Sequence, residues 1–271
     1  MKKIFYSILV FLLILLNFST VYADDVDNEA DFENTIEVTA SNVSELPKIN
    51  SRKYIVYDRI SKSMIIGKNE DVKSAMASTT KIMTTIVILE KADLNETVTV
   101  SVKAGGTGGS RLGLKRGDKT SVKDLLYGLM LRSGNDAAVA LAEHVGGSVK
   151  EFAELMNEKA AELGLTNTHF VTPHGLDDPN HYTTALELAK LTDYAMDNET
   201  FARIVGTKST TIYINNQPRQ INNTNELLGV LNGVVGVKTG FTNNAGRCLV
   251  TEIKRNNMDV ITIVLGADTK K

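Results

Sequence analysis

The chain has 271 residues, of which 42% are hydrophobic and 23% charged, a composition that excludes a disordered protein and suits one large domain or two lobes. The formal net charge is −2, and no basic run with interleaved aromatic residues occurs, so the sequence does not favour nucleic acid as a partner. The single cysteine, Cys248, excludes an intramolecular disulfide, and its apolar neighbours predict a small buried strand residue.

Residues 1–23 are typical of a secretory signal peptide. Lys2 and Lys3 provide the charged start, and the apolar run Ile4–Leu16 is too short to span a membrane comfortably. Small residues lead to a cleavage site after Ala23, whereas an uncleaved anchor is the alternative. We therefore expect a secreted protein that works outside the cytoplasm.

The next segment, residues 24–46, carries eight acidic side chains and no basic one. Its polarity and its lack of a hydrophobic period predict a flexible linker. Residues 47–271 contain 28 basic and 24 acidic side chains, and we expect them to form the folded domain.

The first part of this domain predicts a hairpin and then a helix. Two β-rich runs, Lys53–Tyr57 and Ser63–Ile66, flank a turn-like segment and predict an antiparallel pair. Apolar side chains at helical spacing predict a helix from Ser78 to Lys91 with a buried face. The glycine-rich residues 104–117 lack the pattern of a phosphate-binding loop, which predicts a surface loop.

The middle of the chain, about residues 118–205, predicts a helical lobe. Capping residues precede stretches with apolar side chains at helical spacing, and several of these stretches end at glycine. The predicted helix starts are Thr120–Ser121, Asn135, Ser148 and Thr183–Thr184.

The last part of the chain is rich in β-forming residues. Three runs, Val234–Thr239, Arg247–Ile253 and Val260–Leu265, predict strands, and Asn256–Asn257 predicts a turn between the last two. Together with the early hairpin they predict a mixed α/β (α+β) fold. Its sheet would be mostly antiparallel and built from both chain ends.

The stretch Ser78-Thr79-Thr80-Lys81 places a hydroxyl and an amine three residues apart, on one face of the predicted helix. A lysine that is neutral near pH 7 could take the serine proton and make Ser78 a nucleophile. The alternative is that Ser78 only caps the helix. A capping box would have Glu or Gln at the third position after the cap, where this chain has Lys81.

Two further triplets could complete such a site. Ser133-Gly134-Asn135 falls at a break between two predicted helices, where a hydroxyl and an amide can face a cleft. Lys238-Thr239-Gly240 ends a predicted strand, where it could hold a carboxylate and allow a close backbone approach. Each triplet alone is common, but the three together in this order are a strong joint signal. Tyr213-Ile214-Asn215 could mimic the middle triplet.

Over residues 47–268 the chain resembles the serine DD-peptidases, the low-molecular-mass penicillin-binding proteins with D-alanyl-D-alanine carboxypeptidase activity (peptidase S11-like). The resemblance extends beyond the three triplets to Met130–Ala138, Pro173–Leu176 and Lys238–Thr242. It implies a β-lactamase/transpeptidase-like fold with a DD-peptidase catalytic domain over residues 47–271. It also implies a role in cell-wall remodelling, in the cell wall or at the outer face of the bacterial cytoplasmic membrane.

The resemblance implies a role for each motif residue. Ser78 would attack the carbonyl of the penultimate D-alanine of a peptidoglycan stem peptide that ends in D-Ala-D-Ala. Lys81 would be the base, Ser133 would relay the proton to the departing D-alanine, and Asn135 would position the lysine and the substrate amide. Water would then hydrolyse the acyl-enzyme, with no metal or other cofactor.

The resemblance also implies which residues would bind the substrate. Lys238 and Thr239 would bind the terminal carboxylate, and Gly240 would let the substrate backbone approach. The backbone N–H groups of Ser78 and Phe241 would form the oxyanion hole. β-Lactam antibiotics would acylate the same serine because their strained amide and carboxylate mimic the substrate.

Two other functions remain open from the sequence. A class A β-lactamase would need a loop glutamate in a Glu-x-x-x-Asn pattern, and Glu154-Leu155-Met156-Asn157 has the wrong spacing and lies within a predicted helix. The second alternative is a non-catalytic wall-binding relative. The four histidines lack metal-ligand spacing and are expected to be structural or loop residues: His144, His169, His174 and His181.

The family usually continues beyond the last strand with a basic residue, a closing helix, often a second β domain and an amphipathic anchor. This sequence stops at Gly266–Lys271, so we expect the C-terminal end of the family's domain to be missing. Peripheral membrane association would require that missing anchor.

Overall fold

The computed structural model describes residues 49–268. The signal peptide predicted for residues 1–23 and the linker predicted for residues 24–46 lie outside the described residues. No helix within 49–268 has both the length and the apolar character that a membrane crossing requires.

The described residues form nine strands and seven helices. A short 3₁₀ turn, Ala77–Thr80, comes directly before the first helix. The strands are β1 (Ser51–Asp58), β2 (Ser63–Lys68), β3 (Thr97–Thr99), β4 (Lys119–Ser121), β5 (Ser209–Ile214), β6 (Gln217–Asn222), β7 (Val234–Thr242), β8 (Gly246–Arg255) and β9 (Met258–Ala267). The helices are α1 (Lys81–Lys91), α2 (Val102–Gly105), α3 (Val122–Leu131), α4 (Asn135–Gly146), α5 (Val149–Glu162), α6 (Ala185–Met196) and α7 (Glu199–Val205).

The main sheet has five antiparallel strands in the order β2-β1-β9-β8-β7. Tyr57 on β1 lies opposite Ile261 on β9, and Lys238 on β7 lies opposite Val250 on β8. The prediction of a largely antiparallel sheet built from both chain ends is therefore confirmed, and so is the early hairpin. Buried β-branched residues such as Val250 and Ile261 give this sheet its apolar face.

Helix α1 is the central core helix, and its residues Lys81 to Ile88 are all buried. The helix predicted from about Ser78 to Lys91 is confirmed, but its first turn, Ala77–Thr80, is 3₁₀ and the α-helical part begins at Lys81. The reason is local. The hydroxyl groups of Thr79 and Thr80 donate to the carbonyl oxygens of Met76 and Ala77, and so compete with the main-chain ladder. Ser78 thus lies in a tight 3₁₀ turn that leads directly into the helix.

The predicted helix starts in the lobe are confirmed where a side chain caps the helix. The hydroxyl groups of Ser121, Ser148 and Thr184 each accept a hydrogen bond from the backbone N–H three residues later. Such a cap satisfies one of the N–H groups that a helix start leaves unpaired, typically contributing about 1 kcal/mol.

A second antiparallel sheet, in the order β3-β4-β5-β6, lies beside the helical lobe and was not predicted. Strands β3 and β4 have only three residues each. The β5–β6 hairpin turns at Asn215 and Asn216, both with positive φ.

A buried arginine ties the main sheet to α6. Arg59 is 8% exposed, and its Nε donates to Asp193 Oδ1 at 2.9 Å. Its Nη1 bonds Glu252, which is fully buried on β8. Because each partner compensates a charge that would be costly to bury alone, removal of the guanidinium would leave carboxylates unpaired.

Candidate active site

The lysine of the first motif is held by three oxygen atoms. Lys81 Nζ lies 2.9 Å from Ser78 Oγ, 2.8 Å from Asn135 Oδ1 and 2.8 Å from the backbone oxygen of His174. The amide and backbone oxygens can only accept hydrogen bonds. A neutral amine has two hydrogens and one lone pair, so it can donate to these two oxygens and accept a hydrogen bond from the Ser78 hydroxyl.

The surroundings of Lys81 favour this neutral form. The side chain has no exposed surface, and this burial holds the pKa of Lys81 well below its usual range. The nearby charge of Lys238 lowers the pKa further, while the carboxylate of Asp136 acts in the opposite direction. Neither Lys238 nor Asp136 contacts the amine directly, whereas the three oxygen ligands do.

The second motif sits where α3 passes into α4. Ser133 is 8% exposed with a left-handed backbone (φ 57°), and Gly134 donates its N–H back to Gly128. This sharp reversal puts Asn135 on the first turn of α4. Its side-chain oxygen accepts from the lysine, and its amide nitrogen donates to the backbone oxygen of Gly108 at 2.8 Å. Asn135 thus joins the lysine to the glycine-rich loop.

The glycine-rich segment is more than the surface loop that the sequence predicts. The carboxylate of Asp136 accepts hydrogen bonds from the backbone N–H groups of Leu112, Gly113 and Leu114 at 2.8 to 3.0 Å. Asp136 is fully buried and was missed by sequence reasoning. Its place next to Asn135, in the first turn of a helix, is a weak signal, because acidic residues are common there.

The third motif lies on β7, at the edge of the main sheet. Lys238 is 1% exposed, and burial lowers its pKa to about 7. Its ammonium donates to the backbone oxygen of Thr239 at 2.9 Å. The hydroxyl of Thr239 pairs with that of Thr224 at 2.9 Å, a partner that no sequence motif indicates.

Gly240 brings β7 against the nucleophile. A Cβ atom at this position would lie 3.0 Å from the backbone nitrogen of Ser78, so a side chain here would press on that N–H group. The next residue, Phe241, was predicted to supply the second oxyanion-hole N–H; its side chain is 58% exposed, with the Arg247 guanidinium 5.6 Å from the ring centroid. The geometry therefore places the β7 backbone beside the Ser78 amide.

Other candidate residues fall elsewhere. Asn215, of the triplet that mimics the middle motif, lies in the second sheet and bonds Lys119 and Asp118. Cys248 is buried, as predicted, and burial raises its pKa to about 11. Glu154, weighed as a β-lactamase glutamate, is exposed on α5.

Comparison with solved structures establishes the class of fold. The DD-transpeptidase of Streptomyces K15 superposes with a TM-score of 0.76 at 36% sequence identity, covering 82% of this chain and 92% of that one. A penicillin-binding protein homologue from Mycobacterium tuberculosis gives a TM-score of 0.81 at 34% identity, covering 85% and 88%. The chain has the fold of the penicillin-binding proteins and DD-transpeptidases.

The family follows from the sequence comparisons. Residues 39–269 match peptidase S11, the D-alanyl-D-alanine carboxypeptidases, and the chain belongs to this family. It is 37% identical over 227 residues to the D-alanyl-D-alanine carboxypeptidase DacF of Bacillus subtilis, covering 82% of this chain. It is 40% identical over 256 residues to DacC of Escherichia coli, covering 86%. The chain spans 58% and 60% of the lengths of these two relatives.

Proposed function

We propose that the chain is a serine-type D-alanyl-D-alanine carboxypeptidase of peptidoglycan stem peptides, with its catalytic domain over residues 47–271. The observation that carries the proposal is the set of three oxygen atoms around Lys81 Nζ. Two of them can only accept, so the neutral amine that burial favours donates its two hydrogens to them and turns its lone pair to the hydroxyl of Ser78. An amine that is neutral and aimed at a serine is the activated nucleophile that acyl transfer needs.

The reaction proceeds in two steps. Ser78 Oγ attacks the carbonyl carbon of the penultimate D-alanine, and its proton passes to Lys81 Nζ. The oxyanion is received by the N–H groups of Ser78 and Phe241. When the C–N bond breaks, the proton returns through the Ser133 hydroxyl to the amine of the leaving D-alanine. Water then attacks the ester, which releases the shortened peptide and restores the serine.

The remaining motif residues fit the binding of the substrate. The Lys238 amine, whose pKa burial lowers to about 7, and the paired hydroxyls of Thr239 and Thr224 offer hydrogen-bond donors for the terminal carboxylate, and a bound carboxylate would favour the protonated amine. Asn135 would receive the substrate amide. A β-lactam presents a carboxylate and a strained amide at similar spacing, so it would acylate Ser78 as well. This substrate lies outside the cytoplasmic membrane, in keeping with the signal peptide predicted for residues 1–23.

A second candidate is transpeptidation, which the likeness to a DD-transpeptidase supports. It shares the acyl-enzyme and differs only in the acceptor, an amine in place of water. Hydrolysis and aminolysis can be separated by supplying an amine acceptor to the acylated protein and measuring the two products.

The test is time-resolved intact mass spectrometry of the protein with penicillin, and then with a peptide that ends in D-Ala-D-Ala. We expect a persistent penicillin adduct on Ser78 and the release of one D-alanine per peptide. Ser78→Ala should abolish both, whereas Ser61→Ala, an exposed serine in the β1–β2 turn, should change neither. Rapid release of hydrolysed penicillin would instead indicate a β-lactamase. Absence of both adduct and D-alanine would indicate a non-catalytic relative.

A further inference from the structure

The residue before the nucleophile has an unusual backbone. Ala77 is 1% exposed and has φ 48°, in the left-handed region that alanine rarely adopts. Such a conformation persists only where neighbouring groups hold it. One of them is Thr80, whose hydroxyl donates to the carbonyl oxygen of Ala77 at 2.8 Å. Another is Gly175, where a Cβ atom would lie 1.9 Å from the same oxygen.

A buried histidine completes this contact. His181 Nε2 lies 2.8 Å from Thr80 Oγ1. Because the single hydroxyl hydrogen of Thr80 goes to the Ala77 oxygen, Nε2 must donate to the hydroxyl. The other ring nitrogen, Nδ1, accepts from the backbone N–H of Val171 at 2.9 Å. These partners together select the neutral tautomer with hydrogen on Nε2.

Burial keeps the His181 ring neutral near pH 7. The ring is 3% exposed, and burial lowers its pKa to about 4. Asp177 and Asp178 on its own loop act to raise the pKa, while His169 on the same loop and Lys81 on α1 act to lower it. The ring therefore acts as a fixed donor and acceptor rather than as a proton carrier.

The orientation of the Ala77 carbonyl matters because it belongs to the same peptide unit as the Ser78 N–H. In a planar trans peptide the C=O and N–H groups point in opposite directions. The contacts that fix the Ala77 oxygen therefore orient the Ser78 N–H to the opposite side, where Gly240 of β7 lies against the Ser78 nitrogen. A hydrogen bond to the oxygen also polarises the N–H and strengthens it as a donor.

We propose that Thr80 and His181 are positioning residues, which hold the Ala77–Ser78 peptide so that the Ser78 N–H is aimed at the developing oxyanion. The inference rests on the proposed function, since it concerns the same acylation step. It assigns a role to a buried threonine and a histidine that lie outside the three motifs, and neither of them touches the reacting atoms.

The first test compares two changes at Thr80. Thr80→Val keeps the shape and removes the hydroxyl, whereas Thr80→Ser keeps the hydroxyl. The acylation rate constant and the prior binding constant of a fluorescent penicillin are measured separately for each full-length variant. We expect Thr80→Val to slow acylation at least about tenfold with little change in binding, and Thr80→Ser to restore most of the rate. Thr192→Val removes an equally buried hydroxyl that bonds only Leu188 O within α6, and should leave the rate unchanged.

The second test separates the two nitrogens of His181. His181→Gln keeps a donor where Nε2 lies, and His181→Asn keeps an acceptor where Nδ1 lies. We expect His181→Gln to acylate faster than His181→Asn, because only the former retains the contact with Thr80. A role limited to folding of the loop predicts the reverse order, since the loop is held through Nδ1.

The outcomes distinguish this inference from the proposed function. If the unaltered protein is not acylated, both are overturned. If it is acylated and Thr80→Val reacts at the same rate, only the positioning role is overturned. If thermal melting shows that Thr80→Val does not fold, the order of the two His181 variants decides, and equal rates or the reverse order would overturn the inference.

Discussion

Asp136 is the side chain whose replacement tests the architecture of the site most directly. Its Oδ2 accepts from the N–H groups of Gly113 and Leu114, and its Oδ1 accepts from those of Leu112 and Ala137. The substitution Asp136→Asn keeps the size of the side chain but leaves only one oxygen. Whichever way the new amide turns, its NH₂ group faces two N–H donors that have lost their acceptor.

The expected loss of stability in Asp136→Asn follows from these four hydrogen bonds. A hydrogen bond to a charged group contributes about 1.5 to 3 kcal/mol, so the loss of two should destabilise the protein by about 3 to 6 kcal/mol. That is a large part of the stability of an ordinary domain, about 5 to 15 kcal/mol. The change would also loosen the glycine-rich loop, which would then depend more on the contact between Asn135 and Gly108.

The assay is urea unfolding followed by circular dichroism at pH 7. Asp71→Asn makes the same chemical change at an exposed position and should alter the free energy of unfolding by no more than about 0.5 kcal/mol. A free energy of unfolding for Asp136→Asn within about 1 kcal/mol of the unaltered protein would refute the reasoning, since two buried N–H groups cannot lose their acceptor at so small a cost.

Four further predictions concern the pH dependence of acylation and of stability, the backbone at Gly175, and the thiol of Cys248. The acylation rate should rise with pH as Lys81 loses its proton, with a midpoint well below the usual lysine value of 10.5; a midpoint near 10 would contradict a neutral base. The pKa of His181 is about 4 in the folded protein and about 6.5 in the unfolded chain, so between pH 4 and 6.5 the unfolded chain binds more protons. The contribution of the neutral ring to stability is therefore complete above pH 6.5 and falls by about 1.4 kcal/mol per pH unit on acidification towards pH 4. Urea unfolding should show that the free energy of unfolding depends less steeply on pH for His181→Gln than for the unaltered protein. Gly175→Ala should lower the melting temperature much more than Gly164→Ala, because both glycines have positive φ but only the first would also meet a backbone oxygen. Cys248, buried with a pKa raised to about 11, should react with a thiol reagent only after denaturation, and rapid labelling of the native protein would contradict its burial.

The parts of the fold that were predictable depend on neighbours along the chain. The caps at Ser121, Ser148 and Thr184 need only the N–H groups three residues later, so the sequence reveals them. The second sheet was missed because β3 and β4 are too short to show a period, and their pairing joins distant segments.

The candidate site likewise has a part that could be predicted from the sequence and a part that could not. Side chains carry the motifs, and the structure brings Ser78, Lys81 and Asn135 into contact and sets Gly240 against the serine. Sequence reasoning missed the side chains of Asp136 and Thr224, which lie outside the three triplets, and backbone atoms such as the oxygen of His174. Any residue could supply such an oxygen, so its identity in the sequence gives no signal.

The strand pairing of the main sheet bears on when, during folding, the turn that carries Ser78 can reach its place. The turn that carries Ser78 packs on β7, whose pairing depends on β8 and β9, while β1 pairs with β9. A chain that emerges from its N-terminus first carries the serine and the lysine long before β7 exists. Contacts between such distant segments form slowly. We therefore expect the proposed nucleophile to reach its place late in folding, so that the nascent chain would lack the assembled site during its synthesis.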